Sequence, residues 1–299
     1  MIIPCFESKG QDNGFFSYEI PLNEALLLKV AGGTKKGIEH EEEMNQDNYC
    51  AVGPLLVVAD GLGGHFRGDI GSRIVADCLS WYGQRTSELF PYNDRKAALM
   101  QYLLAEHIPA EKVKSIEEEL DLLTKGIKAG WGIDAVCTGL KGSASSMLKK
   151  ISPDTGRSID STVVAAEFNE GKIFWYHQGD SCLAYIPSNE PYQPLALPDN
   201  FLGDLVASVS MPNQERLVKS QSVKEGDTYV LFSDALLLQG RAIEFLPKIS
   251  KMYQEAPAGF EVPYIAHILI NEAWKAGDDT TIIVARVEGK KESTNQSIP

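Results

Sequence analysis

Residues 55–65 read Leu-Leu-Val-Val-Ala-Asp-Gly-Leu-Gly-Gly-His. The first five are apolar without alternation, the pattern of a short strand buried on both faces. Such a strand delivers Asp60 rigidly to its end. Gly61, Gly63 and Gly64 then let the backbone turn tightly and approach an ion or a phosphate. A carboxylate, a main-chain carbonyl and His65 fall within six residues, and hard oxygen donors of this kind suit Mg²⁺ or Mn²⁺. Taken alone, the stretch also fits a glycine-rich turn capped by an aspartate.

Other aspartates stand at the ends of apolar runs. Asp180 follows the run 172–178, Asp234 follows 229–232, and Asp278 with Asp279 precedes 280–285. Asp47, in Asn45-Gln46-Asp47, precedes the run 49–52. One aspartate at a strand end is commonly a turn former or cap. Several brought together would repel, and a cation would be needed to hold them stably.

The rest of the pattern is layered. Runs 162–168 and 172–177 flank Asn169-Glu170-Gly171, a hairpin signal. After Gly68, the residues Ile70, Ile74, Val75, Cys78 and Leu79 recur on one helical face. Helical spacing also marks 95–130, broken at Pro109, and 262–274. Hairpins with separate helical blocks predict an antiparallel α+β layered fold. Residues 139–161 and 187–214 read as loops, and 288–299 as a polar, disordered tail.

Composition narrows the function. The chain has 299 residues, 43% hydrophobic, enough for a substantial core. It has no apolar run of membrane-spanning length, and residues 1–14 lack signal-peptide character. A cytoplasmic protein that engages no membrane is expected. Five scattered cysteines without CxxC spacing argue against disulfides or a thiolate zinc site. A net charge of −13 argues against nucleic-acid binding.

The ordered set NQD (45–47), VVADGLGGH (57–65), DST (160–162), GDS (179–181), LFSDALL (231–237) and DDTTIIV (278–284) resembles the metal-dependent serine/threonine protein phosphatases, also called protein phosphatase 2C. The resemblance implies a four-layer α-β-β-α sandwich of two antiparallel sheets. The phosphatase domain would span 25–287, after an extension at 1–24. A helical insertion would lie within 82–158 and a reduced flap within 187–214. It further implies two Mn²⁺ or Mg²⁺ ions, with Asp60 bridging them. The Gly61 carbonyl would bind the first, Asp234 and Asp278 the second. Asp47 would orient water, Asp180 would help hold a weaker third ion, and His65 would serve as general acid. Water or hydroxide between the two ions would attack phosphoserine or phosphothreonine of a protein substrate directly.

Departures from the family pattern are also legible. Glu42 stands where many members carry a phosphate-clamping arginine, which leaves Lys35, Lys36, Arg67 and Arg73 as substitutes. Cys182 replaces an arginine, Ala235 a glycine, and Leu238 a carboxylate that supports the third ion. The competing reading is a pseudophosphatase that acts as a binding module on the same fold.

Overall fold

The apolar runs become strands, which among the described residues divide into two six-stranded sheets. The computed structural model describes residues 4–8, 13–38, 44–61, 67–85, 92–130, 132–133, 135–136, 161–188, 191, 193–196 and 218–290. The first sheet contains β1 (Cys5–Glu7), β4 (Asp47–Val52), β5 (Leu55–Asp60), β6 (Val163–Asn169), β7 (Lys172–Gln178) and β10 (Lys219–Ser222), in that spatial order. The second runs β2 (Asn13–Pro21), β3 (Leu26–Lys35), β12 (Thr280–Gly289), β11 (Thr228–Phe232), β8 (Cys182–Ile186) and β9 (Gln193–Ala196). Every neighbouring pair is antiparallel.

Three buried cores separate four layers. Along β5, Leu55, Val57 and Ala59 join the core under the helices α1 (Gly68–Gly83), α2 (Tyr92–Ala105) and α3 (Ala110–Lys128). Leu56 and Val58 point the other way, into the core between the sheets. That is why β5 reads as an unbroken apolar run. The third core lies under α4 (Arg241–Phe245), α5 (Ile249–Glu255) and α6 (Glu261–Trp274), which cover the outer face of the second sheet. The fold is therefore the four-layer α+β sandwich expected.

Local signals were realised. Gly171 takes φ 73° in the turn between β6 and β7. Pro109 stands immediately before α3, where its fixed φ suits a helix start. The five residues that mark one face of α1 are all buried. No helix among the described residues is long and apolar enough to cross a membrane.

Three expectations about extent differ from the structure. Residues 5–7 and 13–21, read as an extension ahead of the domain, supply β1 and β2, one strand to each sheet. Glu7 of β1 is tied to Ser80 of α1 and Arg95 of α2, so burial and an ion pair draw this segment in. At the other end β12 continues to Gly289, because Glu288 and Gly289 pair with Leu27 and Leu26. Within 187–214, read as a loop and expected to form a flap, residues 193–196 form β9, paired with β8. The stretch 82–158, expected to carry a helical insertion, contains α2 and α3. Its residues 86–91, 131, 134 and 137–158, the flap residues 189–190, 192 and 197–214, and the tail at 291–299 lie outside the described residues.

Leu56 is fully buried between the sheets. Leu56→Ala should lower unfolding stability by about 2–5 kcal/mol. The check is a urea-unfolding midpoint that falls while the slope with denaturant stays constant.

Candidate metal centre

Strand pairing brings the aspartates to one end of both sheets. Asp47 opens β4 directly opposite Asp60, which closes β5. Gln178 ends β7 opposite Val163 at the start of β6, so Asp180 leaves the first sheet at that same end. In the second sheet Phe232, the last residue of β11, pairs with both Cys182 and Ile282. Asp234 and Asp278 therefore lie at one end of that sheet, after β11 and before β12.

Short local devices set each carboxylate. The Asn45 Oδ1 accepts the Asp47 N–H at 2.9 Å, an Asx turn. Asn45 in turn donates to Thr34 Oγ1 at 2.8 Å, which also takes a bond from Thr281 at 2.9 Å. The Asp60 N–H donates to Thr162 Oγ1 at 3.1 Å, and Ser161 donates to the Asp60 carbonyl at 3.0 Å. Thr162 and Ser181 hydroxyls meet at 2.5 Å, which links the start of β6 to the Gly-Asp-Ser turn. Gly179 adopts φ 102°, a conformation that favours glycine. Asp234 opens a 3₁₀ turn, while Ser233 Oγ accepts the Thr281 N–H at 3.0 Å.

Gly61 is positioned by close packing. Its N–H donates to the Gln46 carbonyl at 3.0 Å. A Cβ there would collide with the Gly68 backbone, so only glycine lets the start of α1 lie this close.

The electrostatics are those of crowded, buried acids. Burial, followed by repulsion from Asp47, Asp234, Asp180 and Asp278, pushes Asp60 well above the usual carboxylate range. Burial and then Asp279 do the same to Asp47. Burial, Asp278 and Asp180 lift Asp234 to about 6. Burial also raises Asp180, partly opposed by nearby His177. Both carboxylate oxygens of Asp47 and Oδ1 of Asp180 are buried without a hydrogen-bond partner among the described residues. Buried oxygens left in this way suit hard cations. No three described His, Cys, Asp or Glu side chains close on a single point. Like charges packed side by side keep their oxygens apart.

The structure also decides several departures. Arg67 is engaged by Asp69 at 2.9 Å and Glu106 at 2.7 Å. Arg73 pairs with Asp77 at 3.4 Å and lies over the Tyr102 ring. Lys35 sits over Trp274 at 3.6 Å and donates to Asn271 at 3.1 Å. These three expected substitutes for the clamping arginine are thus occupied elsewhere, and the Lys36 carbonyl is held by Trp274. Ala235 does not need positive φ, so replacing glycine there adds no strain. Cys182 is buried and donates to the Asp180 carbonyl at 3.1 Å. His65, Glu42 and Asp160 lie outside the described residues.

Sequence reading assigned no supporting role to Thr34, Asn45, Thr162, Ser181, Ser233, Thr281 or Asp279, although Asn45 and Asp279 stood within the motifs it quoted. A Ser directly beside a strand-end aspartate was the available signal for two of them, Ser181 next to Asp180 and Ser233 next to Asp234.

A sandwich of two antiparallel sheets with aspartates gathered at one end defines a class of fold and site. A family model of protein phosphatase 2C matches residues 36–256, and the chain belongs to that family. Solved structures share the fold. The catalytic domain of the serine/threonine phosphatase PstP, solved with two manganese ions, is 21% identical, with a TM-score of 0.53, over 88% of this chain and 99% of that one. The Mycobacterium tuberculosis PstP/Ppp structure gives 21% and 0.52 over 87% and 99%. PppA of Pseudomonas aeruginosa, described as a key regulatory component of T6SS, gives 16% and 0.51 over 90% and 100%. No curated protein matches by sequence.

A raised Asp234 binds protons in the native state that it would release when unfolded, whose carboxylates titrate near 4. Its stabilising contribution is therefore present below about pH 4 and lost as pH rises through about 6. In EDTA the melting temperature should fall between about pH 4 and about pH 6. Excess Mn²⁺ should raise the melting temperature most above pH 6, with a stability gain of about 2.7 kcal/mol at a hundredfold excess over Kd. A melting temperature indifferent to Mn²⁺ and EDTA at pH 8 would refute a metal centre here.

Proposed function

We propose that the protein hydrolyses phosphoserine or phosphothreonine in protein substrates, with Asp60, the Gly61 carbonyl, Asp234 and Asp278 holding two divalent cations. The observation that carries this reading is the set of buried carboxylate oxygens at one end of the sandwich, those of Asp47 and Asp180 without partners among the described residues. Mn²⁺ or Mg²⁺ bound there would acidify water, supply a hydroxide near neutral pH and offset the charge of the phosphoryl oxygens.

The chain's own residues have separable tasks. Asp60 would bridge the two ions, and its carboxyl feels repulsion from Asp47, Asp234, Asp180 and Asp278. Asp47 orients water from beside Asp60. Asp180 contributes to a weaker third site, one without a carboxylate at position 238, where Leu238 is partly exposed. His65 holds a proton for the departing serine or threonine oxygen, a strongly basic alkoxide. Assistance of that kind is worth roughly 10²–10⁴-fold.

One observation favours a second reading, a weakly active or inactive binding module. Lys35, Arg67 and Arg73 are all engaged away from the aspartates, so no substitute for the phosphate clamp is evident among them. Mn²⁺-dependent hydrolysis of p-nitrophenyl phosphate separates the two. Turnover that Asp60→Asn and Asp234→Asn each abolish, with the fold intact by circular dichroism, supports the enzyme. Wild-type activity in either variant at unchanged metal occupancy would sink the site assignment.

The role of His65 has its own test. p-Nitrophenolate leaves without needing a proton, whereas an alkoxide needs one. His65→Gln should therefore slow phosphopeptide hydrolysis about tenfold or more beyond its effect on p-nitrophenyl phosphate, under single-turnover conditions. Equal losses would remove His65 from proton transfer.

A further inference from the structure

Asp279 stands one residue beyond a proposed metal ligand, and it is buried. Its two carboxylate oxygens hold main-chain N–H groups from two distant segments. Oδ1 accepts from Gly37 and Oδ2 from Gln46, each at 2.7 Å. Gly37 lies flush against the turn before β12, where an added Cβ would collide with the backbone of Gly277 and Asp278. The Trp274 indole adds a bond of 2.8 Å to the Lys36 carbonyl. Gln46 passes the constraint on, because its carbonyl accepts the Gly61 N–H at 3.0 Å and Asp47 follows it in the chain. One carboxylate thus ties the start of β12 to both ends of segment 38–45, and through Gln46 to Asp47 and Gly61.

We infer that Asp279 is a positioning residue for the metal centre, fixing the Gly61 carbonyl and Asp47 relative to Asp278 by holding the Gly37 and Gln46 N–H groups with its two oxygens. The inference rests on the metal-centre reading proposed above. Each oxygen serves one N–H from a different segment, so removing either acceptor leaves one of the two unheld. Asparagine offers one acceptor and an NH₂, which would turn a donor toward the second N–H. Alanine offers neither.

Charge and position are separable. Asp279→Asn and Asp279→Ala remove the same charge, so an effect of charge alone makes them equal. Tethering makes alanine worse. Gly37→Ala leaves the charge in place and drives the segment off the turn before β12.

The test uses the full chain. Mn²⁺ is titrated calorimetrically at a temperature where each variant is folded, and NMR follows amide exchange at Gly37 and Gln46. Mn²⁺ Kd should weaken about tenfold in Asp279→Asn, further in Asp279→Ala, and measurably in Gly37→Ala. The Gly37 and Gln46 amides should lose protection in Asp279→Ala. A general loss of stability would not single out those two amides. Equal Kd values for the asparagine and alanine variants, with wild-type Kd in Gly37→Ala, would overturn the inference and leave the metal centre standing. Should Asp279→Ala not fold, wild-type affinity in Gly37→Ala overturns it alone. Wild-type protein that binds no Mn²⁺ would instead bring down the metal-centre reading itself, a distinct result.

Discussion

Asp47 faces Asp60 across an antiparallel strand pair, and both lie in buried surroundings. Like charges placed directly opposite weaken a sheet. Burial compounds the cost, because a low-dielectric setting strengthens repulsion and removes the water that would relieve it. A protein built for stability alone would not place Asp180, Asp234 and Asp278 beside that pair. Protonation relieves the repulsion, as the raised Asp47, Asp60 and Asp234 show, and the cations proposed above would relieve it where the carboxyls are ionised. The site and the stability of the sandwich are one problem.

The scaffold meets that problem with neutral donors and acceptors. Thr34, Asn45 and Thr281 join β3, β4 and β12 through hydroxyl and amide bonds across the gap between the sheets. Thr162 and Ser181 do the same for β6 and the turn before β8. None of these groups carries charge, so none competes for the role of counterion. They fix strand ends in place while the carboxylate oxygens stay available. The large apolar cores behind them supply the energy that holds the layers closed.

Much of this was legible in the chain. The unbroken apolar run of β5 and its terminal aspartate read directly, since burial on both faces leaves no room for alternation. The hairpin at Gly171 and the break at Pro109 follow from backbone chemistry within a few residues. What was not legible depends on partners far away in sequence. The stretch 13–21 alternates weakly, with Phe16 inside and Phe15 half exposed, and becomes a strand because β3 lies beside it. Arg67 looked like a free cation until Glu106, on the segment after α2, came within 2.7 Å. Asp279 stood next to Asp278 with nothing in the sequence to divide their tasks. Gly37 and Gln46 supply that distinction only in three dimensions.

The position of β12 has a consequence for biosynthesis. This strand is the last of the described chain, yet it sits inside the second sheet, between β3 and β11. All six strands of the first sheet have been translated by residue 222, whereas the second cannot close until residue 289 has emerged. Until then β3 and β11 each present an open hydrogen-bonding edge, and such edges invite pairing with other chains. A ribosome that stalls within the final helix would therefore release not a frayed domain but a split one, aggregation-prone at its centre.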